Sequence, residues 1–90
     1  MCTYATVRLP ISGSAKGPGS PWFAATDATI YFDHPVHAMA AHTLNIDFAA
    51  PANGPGARVG VELSAESAEA LVGAIQAALA SAPAEIRMAG

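Results

Sequence analysis

Ninety residues make one small domain, with 52% hydrophobic and only 12% charged side chains. A chain of this size buries about 60–65% of its unfolded surface, so its core is thin, yet so apolar a composition excludes intrinsic disorder. The net charge of −3, with four Lys/Arg in all, excludes nucleic acid as the main partner, because so few cations neutralise few phosphates.

Four stretches alternate with strand period. In Thr3–Ile11, Ala5, Val7, Leu9 and Ile11 oppose Tyr4, Thr6 and Arg8. Ser12–Pro21 follows as a Gly/Pro loop. It has no G-x-x-x-x-G-K-[ST] phosphate loop, and Trp22 and Phe23 after it are expected in the core or at a contact. Thr26–Asp33 alternates next, and Pro35 forces His34 extended and ends the strand. Met39, in the connection that follows, is expected to fill an apolar gap. In His42–Ala49, Leu44, Ile46 and Phe48 oppose Thr43, Asn45 and Asp47. Pro51–Gly56 is a second loop, and Arg58–Leu63 is the fourth strand.

The period then changes to that of a helix. Ala68, Leu71, Val72, Ile75, Ala78, Leu79 and Ala82 form one helical face, with Ser64 as N-cap and Pro83 as terminator. The tail 84–90 has no periodicity and is expected to be loose, leaving 1–83 as the domain. The order β-β-β-β-α with short connections predicts an α+β fold. Its four-stranded antiparallel sheet carries the C-terminal helix on its apolar face.

The opposite face is polar. It carries Arg8, Tyr31, Asn45, Asp47, Arg58 and Glu62 among others. It reads as a solvated face, as an oligomer interface built on Arg–carboxylate pairs, or as a ligand-binding face. The short supply of surface charge makes the chain's first expected partner itself, as a homo-oligomer.

The three histidines fall in DHPVHAMAAH: His34, His37 and His42. A meander brings them to one end of the sheet, with Cys2 and the helix N-terminus. His34, His37, His42 and Cys2 are therefore candidate ligands for a transition metal, zinc or copper. The spacing H-x2-H-x4-H matches no standard metal motif. Without metal, His34, His37 and His42 with Asp33 are candidates for acid–base work, giving lyase, isomerase or cyclase chemistry. Asp47 is a second carboxylate able to pair with a histidine. The plain alternative is strand-end histidines that bind nothing. No motif for a redox cofactor or a serine hydrolase occurs.

The segments MCTY, DHPVHA, HTLNIDF and RVGVELSAESAEALVGAI resemble a family of small actinobacterial proteins of unknown function, over roughly residues 1 to 79. The resemblance implies a bacterial cytoplasmic protein and assigns no catalytic residue. One cysteine makes no internal disulfide, which agrees with a reducing compartment. Neither a membrane span nor a secretory signal is expected. Two functions follow. One is a small homo-oligomeric protein acting on or binding a small molecule at the histidine end. The other is a non-catalytic oligomeric module that binds through the polar sheet face.

Overall fold

A computed structural model describes residues 5–19 and 21–89. The strands are β1 (Thr6–Ala15), β2 (Phe23–Asp33), β3 (Thr43–Ala49) and β4 (Arg58–Leu63). A 3-10 turn, Pro51–Asn53, lies between β3 and β4. Helix α1 spans Ala65–Ser81 and a short helix α2 spans Ala84–Ala89. The strands pair in the order β1-β2-β3-β4, every neighbour antiparallel. This is the expected α+β meander followed by a helix.

Residues directly opposite on neighbouring strands share a face. The pairs Val7–Ile30, Leu9–Ala28, Ile30–Ile46, Leu44–Leu63 and Phe48–Val59 therefore build one apolar face. The pairs Arg8–Thr29, Tyr31–Asn45, Asn45–Glu62 and Asp47–Gly60 build the polar one.

Two features lengthen the first hairpin beyond its alternating residues. The register shifts between Pro10 and Gly13, so Ile11 and Ser12 lie against Thr26 alone. One strand therefore carries an extra residue, which bends it. Gly13, Ser14 and Ala15 then continue the ladder opposite Ala25, Ala24 and Phe23. In the β3–β4 connection, Gly54 closes the 3-10 turn with its N–H on the Pro51 carbonyl. Its φ of 95° is a conformation that suits glycine.

Helix α1 starts where Ser64 Oγ accepts the Ser67 N–H at 3.1 Å, with Glu66 in the first turn. It ends before Pro83. That proline also opens α2, because its carbonyl accepts from Ile86 and Arg87. Residues 84–89 are thus helical, where the sequence pattern gives no element. Neither helix is long and apolar enough to cross a membrane.

The core is small. Among the described residues the buried apolar ones are Ala25, Ala28 and Ala50, and no buried residue of α1 accompanies them. The helix lies over β3 and β4. Between it and the sheet is an apolar cleft of about 300 Å³, lined by Ile30, Leu44, Ile46, Leu71, Val72 and Ile75 among others. Met39 fills no gap, since its side chain is fully exposed, and Trp22 is exposed too.

Candidate functional site

The polar face holds a cavity of about 490 Å³. Strand β2 contributes Tyr31, β3 contributes Asn45 and Asp47, and β4 contributes Gly60, Val61 and Glu62. The β2–β3 loop closes one side with His37 and Ala38. Alternation alone sets the polar side chains on one face. What makes a cavity of that face is the loop.

Glu62 holds the loop. Its carboxylate accepts the backbone N–H of Val36 at 2.5 Å, of Ala38 at 2.8 Å and of His37 at 3.1 Å. Three consecutive amides converging on one anion form a nest. These bonds favour the charged carboxylate and hold Glu62 below its ordinary range, the Val36 bond most strongly. At this end of the sheet Thr43 and Asn45 are buried. The Thr43 hydroxyl donates to Asn45 Oδ1 at 2.6 Å. That bond fixes the amide with its oxygen occupied, so the amide hydrogens are the groups Asn45 has left to offer.

Asp47 and Arg58 pair at 2.9 Å across β3 and β4. Gly60 lies opposite Asp47, and a Cβ there would come within 3.1 Å of Asp47 Oδ1. The missing side chain makes room for the carboxylate. Tyr31 is pushed above its ordinary phenol range, first by burial and next by the Asp47 charge. The cavity thus gathers a protonated phenol, an oriented amide and two carboxylates.

Arg8 is likewise occupied within the chain. Its guanidinium donates from Nε and NH2 to Asp27 Oδ2 at 3.1 and 2.9 Å. Asp27 also accepts the Thr26 hydroxyl, and that bond, with Arg8 second, lowers its pKa. Both arginines of the polar face therefore meet carboxylates of their own sheet.

The histidines divide into two groups. The His34 and His42 rings stack with centroids 4.6 Å apart, and His42 stacks on Phe32 at 5.9 Å. His34 Nδ1 lies 2.8 Å from the Ala41 carbonyl, so Nδ1 carries the proton and donates it. Asp33 Oδ1 accepts the His34 backbone N–H at 2.7 Å. His37, by contrast, lines the polar-face cavity. Cys2 lies outside the described residues. Among the described residues, no group of three or more His, Cys, Asp or Glu is arranged to hold a metal ion.

Sequence reasoning named Tyr31, Asn45, Asp47 and Glu62 as residues of the polar face. It missed the part Glu62 plays in holding the loop, and the part Gly60 plays in leaving space. Gly60 sits inside an alternating strand, and an isolated glycine there signals close approach. For Glu62 the sequence carries no such signal.

The chain belongs to a family of unknown function, DUF6295, which matches residues 1–88. No curated protein and no solved structure matches the chain.

Proposed function

We propose that this member of a family of unknown function is a binding module for a small polar molecule, held on the polar face of the sheet. The observation that carries the reading is the cavity lined by Tyr31, Asn45, Asp47 and Glu62. Its volume of about 490 Å³ lies within the roughly 300–1,000 Å³ of small-molecule sites.

The chemistry of the walls selects the ligand class. Carboxylate oxygens accept only, and Asp47 and Glu62 both line the cavity. Glu62 already accepts three loop amides, so Asp47 Oδ1, beside the Arg58-bound Oδ2, is the acceptor that a donor-rich ligand, a polyol or an amine, would meet. The Asn45 amide hydrogens and the Tyr31 hydroxyl then serve an acceptor on the same ligand. An anionic ligand is disfavoured by the two carboxylates. The loop that carries His37 and Ala38 forms one wall.

A thermal-shift screen with polyols, primary amines and small carboxylic acids tests this reading. Polyols or amines should raise the unfolding temperature of the wild-type chain and not that of Asn45→Ala. Stabilisation by the carboxylic acids alone contradicts it.

One observation favours a second reading, at the histidine end. The hydrogen bond donated by His34 Nδ1 to the Ala41 carbonyl fixes the ring as the Nδ1–H tautomer. This is the tautomer that metal-ligating and basic histidines use. His34 and His42 would then share zinc or copper, or move a proton, with Asp33 assisting. Titration with zinc and with copper, read by His34 and His42 ring signals, tests it. Signals that stay unchanged in both titrations reject the metal.

A further inference from the structure

The chain exposes more surface than a folded monomer of its mass. Its accessible area is 6553 Å², whereas a compact monomer of 9.1 kDa exposes about 4,900 Å². Its radius of gyration is 14.7 Å, against about 12 Å for a compact domain of this length. The excess area is roughly 1,650 Å².

Part of the excess lies on α1 and β1, while Trp22, Val36, Met39, Ile86 and Met88 are exposed elsewhere. Helix α1 turns an apolar stripe toward the sheet, yet Val72, Ile75 and Leu79 remain 56%, 52% and 49% exposed. The helix lies over β3 and β4. On β1, Val7 is 55% exposed and Leu9 is 39% exposed, although both belong to the apolar face. The chain therefore has a half-covered sheet and a half-covered helix, and each is the kind of surface the other needs.

We propose that a second copy of this chain covers both, in a twofold dimer in which α1 of each copy lies over the β1 side of its partner's sheet. A twofold contact uses the same surface twice, so residue i meets j and j meets i. One self-complementary contact then covers the helix stripe and the bare half-sheet of both chains together. Helix α1, 17 residues long, spans about 25 Å. That matches much of the roughly 33 Å of a ten-residue strand such as β1. Two chains hiding at most the whole excess bury up to about 3,300 Å², a ceiling that reaches the range of obligate homodimers. A charged partner does not fit, because the stripe and the bare half-sheet present Val, Leu and Ile. The proposal concerns the face opposite the polar-face cavity and is independent of the binding reading.

Sedimentation equilibrium across the micromolar range measures the mass. The expected result is twice 9.1 kDa, with an unfolding temperature that rises with protein concentration. A mass of one chain, or of three or more, overturns the dimer. Val72→Glu should abolish the double mass, whereas Arg8→Glu, on the polar face, should keep it. The reverse pattern moves the contact to the polar face and overturns the proposal. Val72→Glu chains that fail to fold leave the wild type to decide. In a mixture of isotope-labelled and unlabelled wild-type chains, filtered NMR should connect Ile75 methyls of one copy to Leu9 methyls of the other. A dimer without that connection overturns the arrangement.

Discussion

Glu62, on the fourth strand, takes the backbone N–H of Ala38 at 2.8 Å, 24 residues earlier in the chain. With the amides of Val36 and His37 it binds the β2–β3 loop to the polar face. The wall of the polar-face cavity therefore depends on one carboxylate.

Glu62→Ala should release the loop. Amide exchange at Val36, His37 and Ala38 should rise toward that of an open loop, while the β3 and β4 ladders keep their protection. Glu62→Gln keeps a carbonyl oxygen as acceptor but loses the charge, so its exchange should fall between the two. Unchanged exchange in Glu62→Ala contradicts the role.

The same bonds predict an acid transition. The folded-state pKa of Glu62 is depressed below its ordinary value. Its contribution is therefore fully present above the ordinary glutamate pKa and is lost as pH falls through the lower, folded-state value. The Val36 and Ala38 amide shifts should move together in that acid window. Movement at or above the ordinary glutamate value would contradict the geometry.

Tyr31 gives the opposite sign. Its phenol pKa is raised, by burial first and the Asp47 charge second. Its contribution to stability is present below the ordinary tyrosine pKa and declines as pH rises toward the folded value. A pH titration of the Tyr31 ring signals should place its midpoint above that of a free tyrosine. Asp47→Asn should bring the midpoint part of the way back, because burial persists.

Gly60→Ala should crowd Asp47, since a Cβ would lie 3.1 Å from its Oδ1. The carboxylate must give by a few tenths of an ångström. Gly60→Val adds branches that fill the cavity floor and should abolish ligand-induced stabilisation with the sheet intact by circular dichroism. Ligand stabilisation that survives in Gly60→Val contradicts the location.

At the helix start, Ser64→Ala removes the oxygen that accepts the Ser67 N–H. The expected loss is about 1 kcal/mol, measurable by urea unfolding. A loss near zero would mean that α1 does not unfold with the sheet.

Much of the fold was legible in the sequence, for a physical reason. Strand β4 was readable to the residue, because Val59, Val61 and Leu63 alternate with Arg58, Gly60 and Glu62. The meander followed from short connections. The extension of β1 to Ala15 was not legible, because Gly13 and Ser14 have no strand signature and are held by pairing with β2. Helix α2 was hidden because Pro83 looks like a stop and also supplies the first carbonyl of the next helix.

The site was legible by halves. Alternation put Tyr31, Asn45, Asp47 and Glu62 on one face. Nothing in the spacing of DHPVHAMAAH says that its backbone amides meet a glutamate more than twenty residues later. Nor does the spacing say that His37 separates from the stacked pair of His34 and His42. Long-range contacts of this kind come from the folded sheet, not from local pattern.

The most direct test of the central claim is an amide NMR map of the whole chain titrated with the most stabilising polyol or amine. The account predicts shifts concentrated at Tyr31, His37, Asn45, Asp47, Gly60 and Glu62, with little change at His34 and His42. Shifts centred on the His34–His42 pair, or on Leu71, Val72 and Ile75, would contradict it.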